Sequence, residues 1–182
     1  DLSVPYNYEG FEYYSRVEER KEHPIYCRKA LSGDREEQII LDVNELARGH
    51  SYCQVTGTHV SPDRNILAYG IDTVSRRQYV IQFKDLKSGE HFTDRLPNTS
   101  GNVAWSSDSR KVFYTVRDAA LRSYKIMRHE LGRPVEEDVE VFHEEDETFG
   151  TYVYNTKSKD YIVIGSYSTL STEYRYLRAD EP

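Results

Sequence analysis

Short runs in which apolar and polar residues alternate, each bounded by turn residues, recur along the whole chain. Three of them are Phe-Glu-Tyr-Tyr-Ser at residues 11–15, Tyr-Val-Ile-Gln-Phe at 79–83 and Val-Glu-Val-Phe at 139–142. A period of two places alternate side chains on one buried face, which predicts β-strands. Only residues 43–49 predict a helical turn, with Asp42 as its N-cap and Gly49 at its end.

The predicted strands follow a repeating order. Ser-Pro-Asp-Arg-Asn at residues 61–65 precedes one strand, and Ser-Ser-Asp-Ser-Arg at 106–110 precedes another. Looser copies of this turn lie at residues 155–160 and 8–10. In the two clear copies the aspartate is expected to accept hydrogen bonds from the amides that follow it, which fixes the entry into the next strand.

A second strand and a short outer strand follow each of these turns. Charged turns containing glycine end the second strand at residues 28–33, 84–89 and 128–132. The outer strands are predicted at residues 38–41, 91–94 and 139–142. Each unit is therefore a four-stranded antiparallel meander, and the units occupy about residues 4–42, 55–96, 103–142 and, without its last strand, 150–182.

The interval from Asp63 to Asp108 falls within the ~40–50 residues typical of propeller blades. The chain is therefore predicted to be all-β, a partial β-propeller of about three and a half four-stranded antiparallel blades. A sandwich or barrel of unrelated hairpins is the structural alternative.

Aromatic side chains on the strands are predicted to fill the space between adjacent blades, namely Tyr13, Tyr69, Trp105, Tyr114 and Tyr161. Because such units bury their faces against one another, an isolated partial array is expected to self-associate through its open blade faces.

The charge balance narrows the possible partners. The chain has 24 basic and 31 acidic residues and a formal net charge of −7, so no nucleic-acid partner is expected. No apolar run approaches the ~20 residues of a membrane span, and residues 1–5 do not resemble a signal peptide. A cytoplasmic protein without a membrane partner is therefore expected, unless a segment that preceded Asp1 has been lost. Cys27 and Cys53 are predicted to be free, buried thiols.

No complete catalytic or metal-binding pattern is present. Gly-His-Ser-Tyr-Cys at residues 49–53 approaches a nucleophile elbow, but Cys53 replaces its second glycine, so Ser51 is read as a loop residue. The histidines are isolated in the sequence and are predicted to be exposed or satisfied, namely His23, His50, His59, His91, His129 and His143. The acidic runs at 136–138 and 144–147 lack the pattern of a calcium loop and are read as solvated. Asn98 begins a formal glycosylation sequon that is read as a turn. The sequence thus predicts no catalytic, cofactor-binding or metal-binding residue, and no cofactor.

Several segments resemble the prolyl oligopeptidase family of serine peptidases, and within it the oligopeptidase B group, also called protease II. The strongest match is Ile-Leu-Asp-Val-Asn-Glu-Leu-Ala at residues 40–47 followed by Gly-His-Ser-Tyr at 49–52. Others are Val-Ser-Pro-Asp at 60–63, Arg-His at 128–129 and Thr-Glu-Tyr-Arg-Tyr-Leu at 172–177. The resemblance covers nearly the whole chain and corresponds to the N-terminal part of the family's propeller.

The resemblance implies a seven-bladed propeller joined, in the same parent chain, to an α/β-hydrolase domain with a Ser, Asp, His triad. It further implies hydrolysis of short peptides after Arg or Lys, with the propeller limiting access to the active site. No triad residue matches a position in this chain, so the segment itself is expected to be non-catalytic. The alternative is a stand-alone propeller module that binds a protein partner and has no peptidase activity. A hydrolase elbow encoded after Pro182 would favour the peptidase.

Overall fold

The computed structural model describes the whole chain, from Asp1 to Pro182. It contains fourteen β-strands, one short α-helix and one turn of 3-10 helix, and all strand pairs are antiparallel. The chain divides into two compact units, Asp1–Gln54 and Val55–Pro182. Neither helical segment is long and apolar enough to cross a membrane. The predicted all-β class is confirmed.

The first unit is one four-stranded meander followed by a short helix. Its strands are β1 (Tyr6–Tyr8), β2 (Phe11–Arg16), β3 (Ile25–Ala30) and β4 (Gln38–Asp42), which pair in sequence order. Helix α1 (Val43–Leu46) begins where the Asp42 carboxylate accepts the backbone N–H of Asn44 at 2.9 Å, so the predicted N-cap is confirmed.

The second unit contains a seven-stranded sheet and a three-stranded sheet. The larger sheet runs in sequence order through β5 (Gln54–Val60), β6 (Ile66–Asp72), β7 (Tyr79–Asp85), β8 (Leu96–Trp105), β9 (Lys111–Arg117), β10 (Ser123–Glu130) and β11 (Val139–His143). The smaller sheet consists of β12 (Gly150–Asn155), β13 (Tyr161–Tyr167) and β14 (Thr172–Arg178). The 3-10 turn, Val135–Glu137, lies between β10 and β11.

Strand β8 is shared by two blades. Its first half pairs with β7, through Leu96 and Thr99, and its last residues pair with β9. The predicted outer strand at residues 91–94 is therefore wrong: His91 makes only an isolated bridge, and the strand begins at Leu96. The predicted turn at Asn98 is also wrong, because this residue lies within β8 with a φ of 57°. Its positive φ belongs to the irregularity at which the strand leaves one blade for the next.

The crossing of β8 needs three glycines in close contact. A Cβ atom on Gly70 would lie 2.5 Å from the Cα atom of Gly101, and one on Gly57 would lie 2.1 Å from the carbonyl oxygen of Gly101. Both distances are far below van der Waals contact, so no side chain fits there without moving backbone. Strand β8 can therefore cross from one blade to the next only because these positions carry no side chains.

The same hydrogen bond closes every blade. In each case the first residue after the third strand donates its backbone N–H to the residue that ends the turn before the second strand. The four pairs are Leu31 to Gly10 at 2.9 Å, Leu86 to Asn65 at 2.7 Å, Leu131 to Arg110 at 2.9 Å and Ala179 to Asp160 at 2.8 Å. Each copy of the sequence repeat therefore corresponds to one blade that is closed by this hydrogen bond.

The repeated aspartates act as the sequence predicts. The Asp63 carboxylate accepts the N–H of Asn65 at 3.1 Å and the hydroxyl of Ser61 at 2.5 Å. Asp108 accepts the N–H of Arg110 at 3.0 Å and the hydroxyl of Ser106 at 2.6 Å. Each serine and aspartate therefore fixes one tight turn.

The core of the second unit lies between the sheets of neighbouring blades. On β9, Val112 and Tyr114 pack towards the preceding blade, with Trp105, whereas Phe113 packs towards the following one. Because alternate side chains of one strand point to opposite faces, this blade contributes to two cores. Four of the five predicted interblade aromatics are buried, and Tyr161 is the exception at 37% exposure.

The two cysteines are free and buried, as predicted. In the first unit, Cys27 packs with Tyr14 and Ile25 in a small core cluster. Burial, with a smaller contribution from Glu37, raises the pKa of the Cys27 thiol to about 11. The thiol is therefore neutral at physiological pH and behaves as a packing group.

Candidate functional site

The serine singled out in the sequence does not sit in a nucleophile elbow. Ser51 is exposed and lies between the four-residue helix α1 and strand β5. A nucleophile elbow needs a strand before the serine and a long helix after it. Neither element flanks Ser51, which agrees with its interpretation as a loop residue.

One histidine belongs to a buried polar cluster that the sequence did not predict. The His129 ring is stacked on Phe83, and its Nε2 lies 2.8 Å from Asp94 Oδ1 while its Nδ1 lies 2.6 Å from Asp138 Oδ1. The side chains of His129, Asp94 and Asp138 are only 1–2% exposed. Tyr114 donates its hydroxyl to Asp138 Oδ2 at 2.7 Å. We call these four residues, His129, Asp94, Asp138 and Tyr114, the histidine clamp.

The charges of the histidine clamp follow from its hydrogen bonds. A carboxylate only accepts, so a ring placed between two carboxylates donates from both nitrogens and is cationic. Burial by itself lowers the pKa of His129, but the hydrogen bonds to Asp138 and Asp94 outweigh it and leave this pKa raised. Burial and the hydrogen bond to Asp138 raise the pKa of Tyr114. The raised pKa favours the protonated ring of His129 between the two carboxylates in the interior.

The histidine clamp confirms one sequence interpretation and corrects another. His129 is a satisfied histidine, as predicted, whereas Asp138 does not belong to a solvated loop, although Glu136 and Glu137 beside it are exposed. The partners of His129 come from separate segments, 35 and 9 residues away, so no local motif marks them. Through its hydrogen bonds the histidine clamp ties the β10–β11 connection to the segment after β7. Its side chains are buried, so they do not contact a ligand.

A cleft opens between the β6–β7 loop and the β9–β10 loop. Its volume is about 570 Å³ and its lining residues are Val74, Ser75, Arg76, Arg77, Gln78, Ala119 and Leu121. We call it the arginine cleft. The sequence does not reveal it, because its two walls belong to different blades and carry no recognisable motif.

The walls of the arginine cleft are held by two aspartates. Asp72 accepts three backbone N–H groups of the β6–β7 loop, from Val74, Arg76 and Arg77, at 2.7–2.9 Å. Asp118 accepts two in the β9–β10 loop, both at 2.9 Å. These bonds satisfy the loop backbone and leave the lining side chains free to face solvent.

Two further hydrogen bonds join the walls to each other. Arg117 donates to the carbonyl oxygen of Arg77 at 2.6 Å, and Gln78 donates to that of Asp118 at 3.3 Å. Arg77 and Leu121 have positive φ values of 54° and 67°, which for residues other than glycine are uncommon. The cleft is therefore a preformed feature of the interblade surface.

The two acidic runs lie at opposite ends of β11. Residues 136–138 precede that strand and residues 144–147 follow it. In the second run, Asp146 is used internally and accepts both the N–H and the hydroxyl of Thr148, at 2.9 and 2.7 Å. The runs are therefore separated along the chain by the five residues of β11.

Comparison with known proteins gives one consistent family. A family model described as "Prolyl oligopeptidase, N-terminal beta-propeller domain" matches residues 1–182. Dipeptidyl aminopeptidase BI of Pseudoxanthomonas mexicana is 37% identical over 198 aligned residues, which cover 100% of this chain and 27% of the relative. Protease 2 of Moraxella lacunata is 35% identical, also over 100% of this chain and 27% of its own length.

A solved structure gives the same picture. Oligopeptidase B from Leishmania major matches 100% of this chain with a TM-score of 0.93 and 29% identity, over 26% of its own length. The chain thus spans about a quarter of the proteins it matches. The interleaved cores and shared strand described above are those of neighbouring propeller blades.

Proposed function

The chain belongs to the prolyl oligopeptidase family, as part of its N-terminal β-propeller domain, and from this premise we propose that it limits substrate access in a serine peptidase of short peptides. The match of the family model to residues 1–182 carries the proposal. In homologues the propeller and a catalytic domain share one chain, so the partner of this segment is the hydrolase domain of its parent. A ring of blades over an active site would limit entry by size, because only peptides thin enough to pass it could reach the reacting groups.

The proposal includes cleavage after Arg or Lys and a cytoplasmic location. The specificity is what the sequence resemblance to the oligopeptidase B group implies, and the relatives named Protease 2 and oligopeptidase B support that resemblance. A different specificity is suggested by the relative named dipeptidyl aminopeptidase, whose name describes release of N-terminal dipeptides. The two activities differ in whether a free substrate N-terminus is needed.

The test uses the full-length parent enzyme and peptides of about ten residues. An N-acetylated peptide with one internal arginine is expected to be cut after that residue, whereas its glutamine analogue remains intact. A folded protein with an exposed arginine is expected to resist cleavage, because it cannot pass the propeller. Mass spectrometry of the products gives the cleavage position. Release of dipeptides only from unblocked peptides would assign the other activity, and equal cleavage of the folded protein would remove the gating role.

The last sheet of the chain leaves one face uncovered. Residues of β12, β13 and β14 in register place six tyrosines on it, Tyr152, Tyr154, Tyr161, Tyr167, Tyr174 and Tyr176. The opposite face, with Ile162 and Ile164, packs against the preceding blade. We call the uncovered side the tyrosine face. By the repeat, it is the side that packs on a following blade, so we propose that further propeller sequence of the parent covers it.

The tyrosine face also predicts the behaviour of the isolated chain. Tyr174 and Tyr176 are 62% and 74% exposed, and replacing both by glutamate should weaken self-association, because burying the new charges is unfavourable. In sedimentation velocity the unmodified chain is expected to shift to larger species with increasing concentration, and the double variant much less. Val139→Glu, on the exposed outer strand β11, is the control. A monomeric unmodified chain at high concentration would contradict the expectation.

A further inference from the structure

The arginine cleft contains two cationic side chains with no anionic partner. Arg76 and Arg77 are exposed, and the carboxylate nearest in sequence, Asp72, is occupied by backbone N–H groups. Two other arginines, in contrast, have a carboxylate partner: Arg16 pairs with Glu37, and Arg178 with Asp180. The guanidinium groups of the cleft are therefore available to a ligand.

The surroundings of the cleft are basic although the chain is acidic. Arg117 and Arg122 flank the second wall and donate to backbone carbonyl oxygens, and the charge of Arg122 lies beside that of Asp146. The two loops and their ends carry four arginines and two aspartates, in a chain with a net charge of −7. A local positive field of this kind attracts anions, and a guanidinium fork matches the two oxygens of a carboxylate.

The cleft also offers apolar surface beside the charges. Val74 is 65% exposed, and Leu121 and Ala119 line the opposite wall. A ligand that fits both properties has a carboxylate next to an aliphatic or aromatic group. The terminal residue of a peptide has this combination, since its α-carboxylate and its side chain share one carbon atom. Inorganic phosphate has the charge but nothing to contact Val74 and Leu121.

We propose that the arginine cleft binds the C-terminal carboxylate of short peptides, with Arg76 and Arg77 as its binding residues; the inference rests on the proposed peptidase function. The preformed walls allow binding without ordering of the loops, which reduces its entropic cost. Recognition of a chain end also favours short peptides, because in long ones the terminus lies far from the bond that is cut.

The test compares peptides that differ only at their C-terminus, on the full-length parent enzyme. A labelled peptide with a free carboxylate is expected to bind about tenfold more tightly than its C-terminal amide, as expected for a charge-assisted contact. Fluorescence anisotropy, read before any hydrolysis is detectable, measures this binding separately from cleavage. In Arg76→Gln/Arg77→Gln the preference for the acid should disappear while the affinity for the amide stays the same. Arg133→Gln, an exposed arginine at the other end of β10, is the matched control and should retain the preference.

Three other results would overturn the inference. Equal binding of acid and amide by the unmodified enzyme would show that the terminus is not recognised. A preference retained in Arg76→Gln/Arg77→Gln would place recognition elsewhere. An equal loss of affinity for acid and amide in this variant would show that the two arginines affect peptide binding without recognising the terminal carboxylate. A peptide that is bound through its carboxylate but never cleaved would instead support the cleft and contradict the proposed peptidase function.

Discussion

Replacing His129 by leucine is expected to lower the free energy of unfolding by about 3–5 kcal/mol, the cost typical of removing one partner from a buried ion pair. Leucine leaves the carboxylates of Asp94 and Asp138 buried without the ring that donates to both. Asp94 Oδ2 already has no hydrogen-bond partner, so this site has little capacity to compensate. Urea unfolding of the chain, followed by the fluorescence of its only tryptophan, Trp105, measures the loss.

In His129→Leu the carboxylates of Asp94 and Asp138 repel each other, and the matched control removes this repulsion as well. In the double variant with Asp138→Asn one carboxylate becomes neutral, so part of the lost stability should return. This coupling separates the electrostatic effect from loss of the stacking on Phe83, which both variants share. Additive effects of the two substitutions would show that the charges of the histidine clamp do not interact.

The histidine clamp also predicts the direction of pH dependence. The folded-state pKa of His129 is raised above the unfolded value of about 6.5, so the stabilisation is fully present below pH ~6.5 and is lost as the pH rises through the folded pKa. The difference in unfolding free energy between the unmodified chain and His129→Leu should therefore shrink as the pH rises above neutrality. A difference that grows between about pH 6 and 9 would contradict a cationic His129.

Replacing Gly70 by alanine should lower the free energy of unfolding about as much as His129→Leu does, by about 3 kcal/mol or more. The reason is that the added methyl group displaces backbone and not the end of a flexible side chain. The new Cβ atom would meet Cα and the carbonyl oxygen of Gly101, at 2.5 and 2.9 Å. Gly70 has no positive φ, so the effect reports the close approach alone. The same urea titration through Trp105 measures it.

Gly132→Ala is the control for Gly70→Ala. Gly132 has a φ of 82°, but a methyl group added there would have nothing within 4 Å, so alanine costs only the strain of a left-handed backbone. That strain amounts to about 1–2 kcal/mol. A larger loss for Gly70→Ala than for Gly132→Ala is therefore expected. Equal losses would mean that the crossing of β8 relaxes easily around a methyl group.

Local chemistry explains which features could be predicted. The strand alternation, the N-cap at Asp42 and the turns at Asp63 and Asp108 all depend on residues within a few positions of one another. Their hydrogen bonds form in much the same way whatever surrounds them, so the sequence reveals them directly. The recurrence of these strands and turns along the chain was then sufficient to indicate propeller blades.

The misjudged features depend on distant residues. Asp138 reads as part of an acidic loop, yet it is buried because His129 and Tyr114, from two other strands, meet it there. Residues 91–99 contain several apolar positions, and their pattern alone does not say which of them pairs with β7. That choice is made by Gly101 and Gly70, whose close contact determines where β8 crosses.

The sequence by itself determined that the chain is a series of antiparallel meanders, because each strand and turn is specified by side chains beside it. Only the tertiary structure decided which residues meet between the meanders: the ring of His129 between the carboxyl groups of Asp94 and Asp138, and Arg76 and Arg77 opposite Leu121. The physical reason is that burial and charge pairing act across space, and the packing of one blade on the next brings together residues that are far apart along the chain.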